Sequence, residues 1–375
     1  MKKLLSCVLS IALLGAAACG MAACGDTTKS PVGDGTNPPV DGELTPPGGP
    51  RFSFAGSLQE LYGGENGYPQ AVLVAKTSVI ENNPGAVARM ESFMAGSAQF
   101  LASATPFEII SLLDSCYDDA DLARSFNQNN LTEQVIANCS VKYTPASDCK
   151  ETITDFLTEL NEMDSSLVTG VPGDAFYYAG GEGTWVPTNA CSVYAPDGAP
   201  ALALANAVAE SRVSGGSSGY GFTFHIVASD QIKLQVTGTM PADFCILPVN
   251  LAANLLRSGE NYKLLGTVTN GNMFLLSTRS DAPTVSSTKE LEALIGRKVG
   301  VVQLANVPGL TFRLVLERAS IPYKILTEAD DTFESDKVNL APIANAATEV
   351  TLAGDYNYFL CPEPAASAKV KATAK

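Results

Sequence analysis

Residues 191–210 read CSVYAPDGAPALALANAVAE, and their order of residue types is that of a strand, a tight turn and a helix. Cys191–Ala195 alternates buried and polar types as a strand does, and Pro196-Asp197-Gly198-Ala199-Pro200 is turn chemistry. The alanine-rich run Ala201–Glu210 is made of helix formers. The same order recurs downstream. Phe222–Ala228 is a second strand. Asp243–Leu247 is an apolar run that stops at Pro248, where Asn250 is placed to cap a helix over Leu251–Leu256. Tyr262–Val268 and Met273–Thr278 are strands separated by Thr269-Asn270-Gly271-Asn272. Lys298–Gln303 precedes a loop, Leu304–Gly309, and an amphipathic helix, Leu310–Ala319. Tyr323–Leu326 and Val338–Pro342 follow as strands, and Tyr356–Cys361 ends at Pro362-Glu363-Pro364 before the helix Ala365–Ala374. Strands alternating with helices imply an α/β chain with parallel sheets flanked by helices.

The half that precedes this stretch is more helical. Gln70–Lys76 reads as a strand, and Asn83-Pro84 opens a helix over Gly85–Ser103 with proline in its first turn. Residues 106–165 read as mainly helical, with breaks near Asn127–Asn130 and at Thr144-Pro145. Leu112, Leu113, Leu122 and Phe126, then Ile153, Phe156, Leu157 and Leu160, recur at helical spacing, which is the periodicity of a core face.

The remaining N-terminal segment has the composition of an address and a tether. Lys2 and Lys3 precede the apolar run Leu4–Ala18, which is short for the ~20 residues of a membrane span. Small residues then lead to a cysteine twice, at Cys19 and at Cys24. Residues 25–50 hold six prolines and six glycines in 26 positions. Such a stretch buries no core and has a reach of roughly 25–30 Å. The 375 residues carry 39 acidic and 24 basic side chains, a formal charge of −15. Loss of Lys2 and Lys3 takes it to −17. That balance argues against nucleic acid as a partner, which needs a basic face. A single histidine, His225, and nine cysteines without a CxxC pair leave no metal motif. Walker A, GxSxG and HExxH motifs are absent as well.

Six stretches carry a resemblance. They are SVYAPDGAPALALA (192–205), ADFCILPVNLAANLL (242–256), NYKLLGTVTNGNMFLLS (261–277), GRKVGVVQLANVPGLTFRLVLERA (296–319), YFLCPEPAASAKV (358–370) and GYPQAVLVAKTSVIENNPGAV (67–87). Together they resemble the type II periplasmic substrate-binding proteins of ABC importers, in the branch with sulfonate-, nitrate- and thiamine-precursor-binding proteins. The N-terminus likewise resembles a bacterial lipoprotein signal, with 1–23 removed, Cys24 the favoured lipidated residue and Cys19 the alternative. The resemblance implies a two-lobed fold, each lobe a mostly parallel sheet flanked by helices. It places the protein on the outer side of a membrane as a lipid-anchored monomer. There it would capture a small solute and pass it to an ABC permease, without a cofactor, a metal or an enzymatic step.

The order of the pieces departs from the family. There the YAPDGAPA-like strand opens the domain and the GYPQAVLVAK-like strand follows the EPAAS-like helix. Joining Lys375 to Arg51 would restore that order, which makes the chain look circularly permuted, with 180–189 closing the old ends. On this reading 24–50 is the tether, 77–275 forms one lobe, and 276–375 with 51–76 forms the other. The strands at 70–77 and 273–279 are then the crossovers.

Ligands of parallel sheets bind beyond the carboxyl ends of strands. The expected site residues are therefore Tyr194, Asp197, Gly198, Ala199, Pro248, Asn250, Asn270, Asn272, Asn306 and Glu363. Tyr194 offers a ring for stacking, Gly198 close backbone approach, and the asparagines both donors and acceptors. Asp197 and Glu363 are the charges in these loops, which contain no Arg or Lys, so a neutral or cationic heterocycle fits better than an anion. His225 reads as a half-buried structural residue, and Cys245 and Cys361 as buried small apolar groups. An enzyme-like member of the fold that uses a cleft Cys or His is the alternative. Cys139 and Cys149, separated by nine residues, are a candidate disulfide in an oxidising compartment.

Overall fold

The stretch 191–210 forms a strand over Cys191–Pro196, a turn at Asp197-Gly198, and two helices, Ala199–Ala203 and Ala205–Gly215. The computed structural model describes residues 50–63, 66–183, 190–215, 221–279 and 282–374. The signal stretch 1–23, Cys19, Cys24, the tether up to residue 49 and the linker residues 184–189 lie outside the described residues. The chain divides into Met1–Pro47 and Gly48–Lys375, and every described residue belongs to the second unit.

Among the described residues, twelve strands run in chain order: β1 Ser53–Ser57, β2 Ala71–Lys76, β3 Val141–Pro145, β4 Cys191–Pro196, β5 Phe222–Val227, β6 Phe244–Pro248, β7 Tyr262–Thr269, β8 Met273–Ser277, β9 Lys298–Val302, β10 Tyr323–Ile325, β11 Val338–Ile343 and β12 Tyr358–Pro362. The fold is α/β, with two six-stranded mixed sheets flanked by helices. The first has the order β3-β7-β2-β6-β4-β5 and the second β1-β8-β12-β9-β11-β10. Five strands of each share one arrangement. β5-β4-β6 are parallel, β2 is reversed, and β7 is antiparallel to β2. In the second sheet β11-β9-β12 are parallel, β8 is reversed, and β1 is antiparallel to β8.

The sheets are thus mixed where the sequence suggests mostly parallel ones, and the crossovers are the cause. Only Asn270–Asn272 joins β7 to β8, too few residues for a crossover helix. The chain therefore enters the second sheet at the edge where the parallel strands end, with Met273 opposite Pro362. It must then run backwards. β2 returns the same way, with Ala71 opposite Pro248. The carboxyl edges of the two sheets are consequently the edges that the crossovers join. Sheet membership also moves the boundary read from sequence. β2 lies in the middle of the first sheet, not with 276–375, and the chain changes sheets at 63–70 and 270–272.

β2 is buried on both faces, which is why AVLVAK reads as an unbroken apolar run. Val72 and Val74 face a core that runs through Phe156, Leu160, Leu310 and Leu314 to Leu275 and Leu360 of the second sheet. Leu73 and Ala75 face a second core with Met90, Met94, Ile109 and Leu202. Helix Ala146–Met163 buries Ile153, Phe156, Leu157 and Leu160 as its spacing implies. Against it lies helix Val307–Arg318, tied by Arg318 to both oxygens of Glu159 at 2.7 and 2.6 Å and by Arg313 to Asp164 at 3.0 Å.

Three local readings differ from the structure. Helix Gly85–Ser103 is two helices, Pro84–Ala95 and Ser97–Ser103, broken at Gly96. A Cβ there would lie 2.6 Å from Asn206 Nδ2, which itself donates to the Phe93 carbonyl at 2.7 Å. Close approach of the neighbouring helix, invisible locally, sets the break. β1 and β3 were not expected as strands. β1 (SFAGS) carries a bulge between Phe54 and Gly56 and no clean alternation, and β3 (VKYTP) is a partly exposed edge strand. Of the expected core face, Leu113 and Phe126 are buried, while Leu112 and Leu122 are half-buried.

Candidate functional site

From β4 the chain goes to β5 on one side and then to β6 on the other. From β9 it goes to β10 and β11 on one side and to β12 on the other. Such a reversal of direction opens a crevice at the carboxyl ends of the strands on either side of the switch. The two switch points are therefore at Tyr194–Ala199, the end of β4 and the turn after it, and at 303–309, the turn after β9 and the first residues of helix Val307–Arg318. Both are loops singled out from the sequence.

At the end of β4, Gly198 has φ +105° and ψ −154°, a conformation that L side chains rarely adopt. It turns the chain directly into helix Ala199–Ala203, and Ala199 is buried. Tyr194 is half-buried and stacks on His225 across the β4–β5 pair, with ring centroids 4.4 Å apart and an interplanar angle of 11°. His225 Nδ1 lies 2.7 Å from Asp118 Oδ1. Asp197 is engaged by the segment that follows helix Pro106–Asp114. Tyr117 donates its hydroxyl to Asp197 Oδ1 at 2.6 Å, and Ser125 donates its hydroxyl and its amide to Oδ2 at 2.6 and 3.0 Å. Burial and the Asp197 carboxylate both push the Tyr117 hydroxyl far above the usual tyrosine range, so it stays a donor.

A second set of expected residues joins along the crossovers. Val249, next to Pro248, donates its amide to the Gln70 carbonyl at 3.0 Å. Gln70 Nε2 donates to Asn272 Oδ1 at 3.2 Å, and the Glu363 amide donates to the Asn272 carbonyl at 3.1 Å. The Glu363 carboxylate accepts from Asn138 Nδ2 at 2.7 Å, from Ser367 Oγ at 2.7 Å and from the Ser367 amide at 3.1 Å. A polar chain thus runs from the end of β6 to the end of β12 and on to helix Glu133–Asn138. Beside it, Gln70 Oε1 and Thr269 Oγ1 are buried without a hydrogen-bond partner, each a cost of about 1–3 kcal/mol.

The other expected residues fall outside this chain. Asn250 lies in the first turn of helix Val249–Leu256, whose cap position is Pro248, and accepts from the Leu251 amide at 2.9 Å. Asn270 turns towards β3, donating its amide to the Ser140 carbonyl and its side chain to that of Lys142. It lines a 440 Å³ cavity with Tyr62, Thr144, Asp148, Thr267 and Arg318. Asn306 is exposed at the start of helix Val307–Arg318 and makes no side-chain capping bond.

Sequence reasoning missed Tyr117, Asp118, Ser125, Gln70 and Asn138. The first three sit in YDDADLARS (117–125), a stretch expected to be helical with Leu122 on its core face; the helix instead ends at Asp114 and 117–125 is irregular, because its run of aspartates holds too few apolar residues to bury a helix face. Gln70 and Asn138 sit at element ends, where a single polar residue is unremarkable without its partner. The described cysteines Cys116, Cys139, Cys149, Cys191, Cys245 and Cys361 are free and buried. The candidate Cys139–Cys149 disulfide is therefore not formed: Cys139 closes helix Glu133–Asn138, while Cys149 Sγ faces the Thr144 carbonyl at 3.4 Å. Burial pushes the Cys361 thiol up to about 12 and raises Cys245 further, away from the thiolate a nucleophile needs. Among the described residues, no three His, Cys, Asp or Glu side chains are placed to hold a metal ion, and no helix is long and apolar enough to cross a membrane. Comparison with protein-family models, with curated proteins and with solved structures finds no match.

Proposed function

We propose that the protein is a solute-binding lipoprotein of the type II periplasmic-binding kind, in circularly permuted order, that captures a small neutral or cationic solute and delivers it to an ABC permease. One observation carries the reading. Two sheets share the same five-strand arrangement, and two short crossovers join them at their carboxyl edges. Both switch points therefore open towards the same junction, the arrangement needed for two lobes to close on a ligand. The buried, unpartnered Gln70 Oε1 and Thr269 Oγ1 at that junction favour a solute that brings hydrogen-bond donors. The permuted order draws support from the Phe52 amide, which donates to Thr373 Oγ1 at 3.0 Å, so the two ends to be joined are neighbours.

The test is a thermal-shift screen of the purified full chain against neutral, cationic and anionic small solutes. A ligand that binds only the folded state raises its midpoint, and stabilisation by a neutral or cationic solute is expected. Stabilisation by sulfonates alone would overturn the ligand class, and no shift with any solute would overturn the function. Lipid attachment is tested separately: incorporation of a labelled fatty acid should be lost in Cys24→Ser.

A further inference from the structure

We infer that Tyr117–Ser125 is a self-docked strap that closes the crevice beyond β4, its two hydroxyls standing where a polyhydroxylated solute places its own. The inference rests on reading that crevice as the solute site. Each oxygen of the Asp197 carboxylate receives one hydroxyl at 2.6 Å, Tyr117 on Oδ1 and Ser125 on Oδ2. One hydroxyl per oxygen is how a carboxylate takes up two neighbouring hydroxyls of a polyol. The one basic group of the strap, Arg124, is engaged away from Asp197: it lies over the Tyr117 ring at 4.6 Å and pairs with Asp114 at 2.9 Å. Beside the carboxylate, the stacked Tyr194 and His225 rings give a planar wall of the sort against which a sugar ring packs.

The strap is built to leave. Cys116 and Phe126, at its two ends, are buried, yet none of the nine residues between them is. Release therefore pulls no fully buried side chain out of the core, and Tyr117 is the strap residue that packs against it. It breaks the three bonds to Asp197, the Asp118–His225 pair, the Arg124–Asp114 pair, the bond from Asn130 to the Ser125 carbonyl and the short bridge of Tyr117 along Ile226. Local openings of this kind, with few buried contacts, lie at the low end of the stability range within a protein.

Hydrogen exchange and calorimetry on the full chain test this, using wild type, Tyr117→Phe/Ser125→Ala, Ser125→Ala alone and Asp197→Asn. The probes are D-ribose, D-glucose and myo-inositol, with ethanolamine and taurine as charged controls. Strap amides should exchange at least roughly a hundredfold faster than those of β4 and β6. Loss of both hydroxyls should raise opening by roughly a hundredfold or more, since each bond to a charged acceptor is worth roughly ten- to a hundredfold. A bound polyol should gain affinity in the double variant by that same factor, because the closed strap is its competitor, and lose binding in Asp197→Asn. Ser125→Ala alone should give a smaller shift in the same direction. Strap amides that exchange only together with β4 overturn the inference, and so does binding by ethanolamine or taurine to the exclusion of polyols. A solute that binds equally to all four proteins overturns the strap but leaves solute binding standing, whereas no binding by any probe overturns both.

Discussion

The bond from Asn138 to Glu363 spans the two sheets, and its removal is a quantitative test of how the junction is held. Glu363 is 3% exposed, and its carboxylate takes Asn138 Nδ2 on the same oxygen as Ser367 Oγ. Asn138→Ala removes the 2.7 Å bond and also the 2.8 Å bond from Gln134 within the helix. A hydrogen bond to a charged group contributes about 1.5–3 kcal/mol net, while an exposed pair four residues apart on a helix contributes about 0.2–0.5 kcal/mol. The expected loss is therefore about 2 kcal/mol, and Gln134→Ala, the control, should cost less than 0.5 kcal/mol by the same figures. At an unfolding entropy of about 2.1 cal/mol/K per residue, a body of this size should lose only about 3 °C in Tm. Urea unfolding followed by circular dichroism is the better assay. A double-mutant cycle of Asn138→Ala with Glu363→Ala cancels the Ser367 contacts and should leave a coupling of about 1.5–2.5 kcal/mol. Coupling within about 0.5 kcal/mol of additivity would refute the argument that this bond ties helix Glu133–Asn138 to β12.

Three further outcomes follow from single features. Gly198→Ala meets no atom closer than 3.9 Å, so its expected cost of about 1–3 kcal/mol comes from the backbone angle alone; unchanged stability in urea would mean that the turn relaxes. Burial pushes the Cys149 and Cys191 thiols up to about 11 and Cys361 to about 12, so at pH 8 the described cysteines should react with Ellman's reagent only after denaturant is added. A fast native thiol at Cys245 or Cys361 would instead favour the enzyme-like alternative. The Ser166 hydroxyl first, and the Arg313 guanidinium after it, hold the Asp164 carboxyl below its usual range. Its contribution to stability is therefore present above the unfolded value of about pH 4 and is lost as pH falls through the folded value. Asp164→Asn should flatten the acid limb of a stability–pH curve, and an unchanged slope between pH 5 and 2 would contradict this.

What could be read from the sequence was what is encoded within one element. β4, β6, β7 and β12 lie within a residue or two of their expected places because each is an apolar run closed by proline or asparagine, and β9 because its apolar run stops at Gln303. The switch-point turn Pro196-Asp197-Gly198 could be read for the same reason, whereas the loop expected over Leu304–Gly309 is shorter: the helix starts at Val307, with Pro308 in its first turn as proline's fixed angle allows. Contacts made at a distance could not be read. The helix breaks at Gly96 where Asn206, 110 positions later, donates to the Phe93 carbonyl and leaves no room for a Cβ. Asp197 looked like a ligand-facing charge because nothing in YDDADLARS says that Tyr117 and Ser125 fold back onto it. Asn250 matched the pattern of a cap, yet the helix begins two residues earlier than expected, at Val249, and takes it into the first turn.

The same topology explains why a rearranged chain order can leave such a site intact. β1 runs parallel to β12, because both are antiparallel to β8, so Ser53 lies at the amino edge of the second sheet. Helix Ala365–Thr373 starts beyond the carboxyl end of β12 and returns to meet Phe52 through Thr373. The ends that a permutation would have opened thus sit at the amino edge. The ends it would have closed do too: Tyr177 bridges to Leu264 near the start of β7, and Cys191 is the first residue of β4. Both positions are a full strand length away from the carboxyl edges, where the switch-point loops, the crossovers and the Asn272–Glu363–Asn138 chain lie. Cutting and joining at amino edges changes the loop-closure entropy of connections there but leaves the crossover lengths, and with them the facing of the two carboxyl edges, as they were. A variant joined from Lys375 to Arg51 by a short glycine-serine linker and opened within 184–189 should therefore keep the wild-type circular dichroism and unfold within a few degrees of it. Failure of that variant to fold would mean that the present order is required by the fold and is not a permutation of it.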